Sequence, residues 1–504
     1  MFRPRLFRSS YVLTTLAAVL ALAALPSVAR ADLNADLRRV LADKYLAKAN
    51  VGVVVARLGD KSDDTEVIFR HNGTTPLIPA SNLKIVTTAA ALKQLGPDFK
   101  FRTMLLMNRD GDLCLVGDGD PTLGDVELLK KVGWDVTTVF KLWAEELKRR
   151  GVAAVSNVLV DDSVFDETFL HPNWPADQEQ RRYVAQVGGL NLNANCVDFY
   201  VRTTGFNETV TYTVDPPTQY LAVQNSCVTG NRSAVWLARE RGKNTIILRG
   251  EANASNDVPF SITIHDPGLF AGTVLAETLE ANGVRIGGSV VRDRTIRAAF
   301  EKDPVGGNAA GWTVVAALET PLASVLARAN KDSMNLYAEA LCKRLGFAAT
   351  GEPATWASGT AVVGTFLREQ CEVPEEQFTL DDGCGLSKEN AISAEALVRV
   401  LAREHTGKHA DVFRTSLAQS GVDGTLENRF NRTDLRGRVY GKSGYVNYVS
   451  SLTGYVQARD GRWYAFAILM NNVPFRTNNT AKEIQEKIVS AIDENASPAT
   501  AAAR

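Results

Sequence analysis

Apolar positions change texture several times along the chain. Over 34–48, Leu37, Val40, Leu41 and Leu46 recur at helical spacing and predict an amphipathic helix. Two β-rich runs, 51–57 and 66–70, flank the polar stretch 59–64 and predict a hairpin. Small and apolar residues then run to Leu92, broken only by Thr87-Thr88, and predict a helix beginning near Ser81. From 101 to about 294 short β-rich runs dominate: 103–107, 113–116, 157–160, 197–202, 210–214, 244–248 and 261–265. Gly, Asn and Pro separate them, and only 137–150 and 269–282 read as helices. Helical texture returns after Trp312, with a periodic helix ending at Leu345 and others over 356–369 and 394–404. Three alternating runs, 437–446, 450–456 and 463–470, then read as antiparallel strands before a last amphipathic helix over 481–493.

This order predicts an α+β fold. Strands from both ends of the chain share one antiparallel sheet covered by helices, and a mostly β region is inserted after the Ser81 helix. The boundaries expected are 32–100 and 296–495 for the two parts of the helix-covered domain. The insertion takes 101–295 as one or two subdomains, and 496–504 is a small-residue tail expected to be disordered. The pattern shows no internal repeat.

The N-terminus has its own pattern. Arg3, Arg5 and Arg8 precede an apolar run over 11–25, Pro26-Ser27 breaks it, and Ala29-Arg30-Ala31 supplies a small-x-small site. The pattern reads as a secretory signal peptide, 1–31, cut before Asp32, the run being short for the alternative of an uncleaved membrane anchor, so the mature chain is expected in the periplasm or otherwise outside the cytoplasmic membrane. No later segment is apolar enough to be an integral membrane helix. With 504 residues, 45% hydrophobic and 22% charged, and a net charge of −1, the chain suits two or three globular domains and gives no reason to expect nucleic acid. Six cysteines, none closely spaced, leave 15 disulfide pairings open after export. His405 and His409 stand four apart across a loop-like Thr-Gly-Lys with no carboxylate motif, so neither a metal nor any other cofactor is expected.

Ser81 and Lys84 stand three apart on the helix that starts at Ser81, which puts both on one face. A serine hydroxyl needs a base to become a nucleophile, and a lysine one turn away serves if burial or a neighbouring cation lowers its pKa from about 10.4. The plainer alternative is a capping serine and an ordinary lysine. Two later motifs favour the first reading: Ser333-Met334-Asn335 gives S-x-N, and Lys442-Ser443-Gly444 gives K-S-G just before a strand. S-x-x-K, S-x-N and K-[ST]-G, in that order, are the set of the penicillin-recognising serine enzymes.

Further segments extend the likeness. Gly117-Asp118-Gly119-Asp120-Pro121-Thr122-Leu123, Leu190-Asn191-Leu192-Asn193-Ala194-Asn195, residues 330–335, Gly421-Val422-Asp423-Gly424-Thr425-Leu426 and Thr453-Gly454-Tyr455 resemble the low-molecular-mass class C penicillin-binding proteins, the D-alanyl-D-alanine carboxypeptidase/endopeptidases. The resemblance runs from about 34 to 493 and implies a transpeptidase/β-lactamase-like domain interrupted after the S-x-x-K helix. Two positions depart from that pattern: Ser443 stands in place of Thr, and Cys384 takes the serine slot of Asp382-Gly383-Cys384-Gly385-Leu386-Ser387.

The resemblance implies a peptidoglycan stem peptide as substrate and β-lactams as covalent inhibitors. Ser81 attacks the D-Ala-D-Ala carbonyl, Lys84 takes its proton and Ser333 relays it to the leaving amine. Asn335 holds Lys84 and the substrate amide. The backbone N–H groups of Ser81 and Tyr445 make an oxyanion hole, and Lys442, Ser443 and Gly444 receive the terminal carboxylate. By the same resemblance Asp161 reaches the cleft as an acid and Phe165 as an apolar wall, opposite Lys388 and Asn447. The competing reading makes Asp161 and Asp162 turn residues at a strand end. A secreted serine β-lactamase and a non-catalytic peptidoglycan-binding protein are the other functional readings. Fluorescent penicillin separates the three by stable labelling, fast turnover or no labelling.

Overall fold

The computed structural model describes residues 32–496 except 62–63, 303–307 and 310, so the 1–31 leader and nearly all of the expected tail lie outside the described residues. The chain builds its main sheet from both ends. Its six strands run in the order Ala418–Gln419, Val439–Val446, Val449–Gln457, Trp463–Asn471, Asn50–Arg57 and Glu66–His71, all antiparallel. The N-terminal hairpin therefore docks on the last strand, with Val53 opposite Ile468 and Arg57 opposite Tyr464.

The apolar run 51–56 is continuous because both faces of this sheet are covered. Val51, Val53 and Val55 point into a core with Ile468, Ile484, Ile488 and Leu37. That side is covered by the helices Leu33–Leu41 and Asn478–Asn495. Val54 and Ala56 point the other way, toward the helices Leu83–Leu95 and Ala394–Thr406. The expected helix over 34–48 forms in two pieces, Leu33–Leu41 and the 3-10 turn Lys44–Leu46.

The insertion carries a second six-stranded sheet, in the order Val290–Arg292, Val158–Asp161, Leu113–Val116, Lys100–Met107, Trp312–Pro321 and Asn308–Ala309. The helices Thr138–Arg149 and Pro267–Ala281 pack on it. Two three-stranded sheets lie further out, over Cys196–Arg202, Thr211–Asp215 and Phe260–Thr263, and over Ala222–Thr229, Ala234–Arg239 and Thr245–Ala252. The strands of the six-stranded sheet run past the expected boundary at 295. Trp312–Pro321 is a strand rather than the start of helical texture, and it pairs antiparallel with the insertion's first strand, Lys100–Met107. Its partly exposed alternation, with Val315 and Thr320 turned inward, comes from lying on a sheet of the insertion.

Candidate active site

Ser81 sits in the 3-10 turn Ala80–Asn82, which leads into the buried helix Leu83–Leu95. Its side chain caps neither element. Lys84 lies one turn on, fully buried, with its Nζ 2.9 Å from the Ser81 Oγ. The same Nζ donates to the Asn335 Oδ1 at 2.8 Å and the Cys384 carbonyl at 2.9 Å. Burial lowers the Lys84 pKa, against the opposing pull of Cys384, Asp382 and Glu339. Of the two causes expected, burial or a neighbouring cation, burial is the chief one.

The S-x-N motif opens the helix Asn335–Thr350. Ser333 precedes it at φ 58°, a left-handed conformation that non-glycine residues seldom take and that concentrates at functional sites. Ala80, just before Ser81, is also left-handed, at φ 48°. The Ser333 Oγ accepts from the Lys442 Nζ at 2.8 Å, which also donates to the Ser443 carbonyl at 2.8 Å. Lys442 is fully buried on the strand Val439–Val446, and burial, then Lys84, drive its pKa well below the usual lysine value. Among the described residues it forms no salt bridge. Gly444 lets this strand lie against the Ser81 turn, because a Cβ there would press on the Pro79 carbonyl at 2.9 Å and the Ser81 N at 3.1 Å.

A cleft of about 710 Å3 opens over these groups, lined by Ser81, Ser333, Asn335, Tyr445, Lys388 and Asn447 of the expected set. Asp161 and Phe165 are not in it, so that expectation is corrected. Both are fully buried. Asp161 ends the strand Val158–Asp161 and accepts from the backbone N–H groups of Ser163 at 2.9 Å and Arg297 at 2.6 Å, which is the turn role. Phe165 packs against Gly119 and lies under the Lys343 ammonium, 5.7 Å from its centroid.

The insertion reaches the cleft through a later segment, with Asn173, Trp174, Pro175, Gln178 and Tyr183. The Tyr183 carbonyl accepts from the Asn335 Nδ2 at 2.8 Å. No periodicity marks this stretch. Its one sequence signal is Trp174 and Tyr183 within an otherwise polar run. Cys384 is a buried thiol, and all six cysteines are free.

Residues 33–495 match the D-Ala-D-Ala carboxypeptidase 3 (S13) family. The chain is 30% identical to a D-alanyl-D-alanine carboxypeptidase of Actinomadura sp. (strain R39), over 91% of this chain and 84% of that protein. Penicillin binding protein 4 (dacB) of Haemophilus influenzae superposes with a TM-score of 0.74 at 21% identity, over 92% of this chain and 99% of that one. A second structure of it, complexed with a β-lactam, gives a TM-score of 0.69 at 20% identity, over 92% and 100% of the two chains. Ser81 of S-x-x-K and Ser333 and Asn335 of S-x-N thus line one cleft, with K-S-G packed against both through Lys442 and Gly444, in a fold shared with a penicillin-binding protein, and the chain belongs to the S13 family of D-Ala-D-Ala carboxypeptidases.

Proposed function

We propose that this serine carboxypeptidase cleaves the D-Ala-D-Ala end of peptidoglycan stem peptides, and their cross-links, through an acyl-enzyme on Ser81. The observation that carries the reading is the chain of contacts from Ser81 to Lys84 and Asn335, and from Ser333 to Lys442, in one cleft. Neutral Lys84 takes the Ser81 proton as Oγ attacks the carbonyl. Backbone N–H groups of Ser81 and Tyr445 receive the oxyanion. Ser333, bonded to Lys442, passes a proton to the leaving amine, and water then releases the acyl group.

Lys442 forms no salt bridge among the described residues, Asp332 acting on it only through space, so the terminal carboxylate of the substrate supplies a direct counter-charge, with the Ser443 hydroxyl beside it. The strand Ala418–Gln419 pairs only with Tyr440 and Gly441, which leaves the 442–446 edge open to an extended peptide. Lys388 and Asn447 line the same cleft. A β-lactam imitates the scissile amide and acylates the same serine, a reading supported by the β-lactam complex of the Haemophilus influenzae protein. The 1–31 leader places the mature enzyme in the periplasm or otherwise beyond the cytoplasmic membrane.

The test is incubation of the purified protein with fluorescent penicillin and, separately, with a stem pentapeptide. Stable labelling together with D-alanine release is expected. Rapid turnover of the penicillin without D-alanine release would replace the reading with a β-lactamase, and no labelling with a binding protein.

A further inference from the structure

A neutral lysine amine has two N–H bonds and one lone pair, and a base works only when the lone pair faces the proton it takes. Three groups surround the Lys84 Nζ: the Ser81 Oγ, the Asn335 Oδ1 and the Cys384 carbonyl. The last two only accept. If both N–H bonds go to them, the lone pair is left for the Ser81 hydroxyl. The Asn335 amide is held the right way round because its Nδ2 donates to the Tyr183 carbonyl at 2.8 Å.

The Cys384 carbonyl is held from its other end. It belongs to the peptide joining Cys384 to Gly385, whose N–H donates to the Asp382 Oδ1 at 2.7 Å. Asp382 is buried and locked. Asn390 also donates to Oδ1 at 2.9 Å, and the Ser387 N–H and the Trp174 Nε1 donate to Oδ2 at 2.7 and 2.9 Å. The two preceding peptides are clamped by Glu339, which accepts from the N–H groups of Gly383 at 3.0 Å and Cys384 at 2.7 Å. The ligand atoms of Glu339, Asp382 and Cys384 lie within 4.8 Å of one another, a metal-like spacing. Both carboxylates already accept N–H donors on both oxygens, which suits a device for holding peptides rather than an ion.

We infer that Asp382 is a positioning residue for Lys84: through the Cys384–Gly385 peptide it aims the lysine lone pair at Ser81 and steadies the ammonium that forms. The step balances. The Ser81 O–H bond breaks, a third N–H bond forms on Lys84, and the oxygen pair attacks the carbonyl. The arrangement is a nucleophile, a base and an orienting acid, with one peptide group between the last two. It rests on Lys84 being the base.

The charged and titratable groups facing Lys84 are Lys442 from the K-S-G strand, Glu339 from the S-x-N helix, and Asp382 and Cys384 from the loop. Burial keeps the Cys384 thiol well above its usual pKa, and burial, then Asp382, raises Glu339 to about 7. Removing the Asp382 charge lowers the pKa of both Lys84 and Glu339, so both effects move the acid limb of acylation to lower pH.

The experiment measures single-turnover acylation by fluorescent penicillin against pH in wild type, Asp382→Asn, Glu339→Gln and Lys84→Met, with melting temperatures. Asp382→Asn is expected to acylate roughly 10- to 100-fold more slowly, part of the 10²–10⁴ a positioned base contributes. Its prior dissociation constant stays within about twofold, and its acid limb moves down in pH. Should that variant fail to fold, Glu339→Gln reads the same segment and must show the same slowing and shift. An inactive Lys84→Met beside an unslowed Asp382→Asn, or a slowing with the acid limb unmoved, overturns the inference alone. An active Lys84→Met overturns the reading on which it rests.

Discussion

Replacing Lys84 by methionine separates catalysis from stability. Methionine matches the length of the stem but has no nitrogen. Loss of a positioned base costs about 10²–10⁴ in rate, about 3 to 5 kcal/mol in barrier at 1.36 kcal/mol per decade. The stability change should be smaller, because its parts oppose one another. Three hydrogen bonds of the Lys84 amine disappear, each worth about 1 kcal/mol net, and the Asn335 Oδ1 and the Cys384 carbonyl lose a donor. Against this, a fully buried amine no longer has to be stripped of water. A net effect within about 2 kcal/mol corresponds to a melting shift within about 4 °C for a protein of this size. The pH dependence has a definite sign. Because burial depresses the folded pKa of Lys84, the unfolded chain binds more protons below about 10.4, and Lys84 adds stability as pH rises through that window. Lys84→Met should remove that part of the slope. The assay is penicillin acylation from neutral to alkaline pH with thermal melting alongside. A folded Lys84→Met protein that acylates at more than about a tenth of the wild-type rate would show that the base lies elsewhere.

Three other substitutions test the remaining parts. Ser81→Ala should abolish both penicillin labelling and D-alanine release with the fold kept, and residual covalent label in that variant would reassign the nucleophile. Lys442→Ala should cost about 2 kcal/mol, roughly 30-fold in kcat/KM, on peptides with a free terminal carboxylate. The loss should be much less on amidated analogues, and equal losses on both would exclude the carboxylate role. Gly385→Ala forces a side chain onto a backbone at φ 82° and against the Ala80 carbonyl, so it should slow acylation and lower the melting temperature. Wild-type behaviour in both assays would show that the loop has room to move.

The sequence made the main sheet legible because its strands alternate cleanly or are wholly apolar. Val51, Val53 and Val55 could face one core while Val54 faced another. The motif residues were legible because their chemistry demands fixed residue types at short spacing. Trp312–Pro321 was not, since its partner strand lies more than two hundred residues earlier and one side of it is half exposed. Ala222–Thr229 and Ala234–Arg239 were missed for a similar reason, as thin outer strands with little buried surface. Asp161 was misplaced because a carboxylate that caps a turn and one that meets a ligand look alike in sequence. Only the N–H groups of Ser163 and Arg297, brought together by folding, tell them apart.

The two-ended sheet also favours one order of assembly on loop-closure grounds. Lys100 meets Glu319 across 219 residues, and Ile78 meets Asn471 across 393. Folding the insertion first brings its two ends side by side and shortens the span the second closure must search. Doubling a loop costs only about 0.6 kcal/mol, so the benefit lies in speed rather than in final stability. Ser81 and Lys84 emerge early from the ribosome, but the hydrogen bond from Lys442 to Ser333 cannot form until the third motif has emerged. A nascent or truncated chain ending before that strand carries Ser81 and Lys84 without Lys442, so the three motifs come together only once the strand Val439–Val446 has been made.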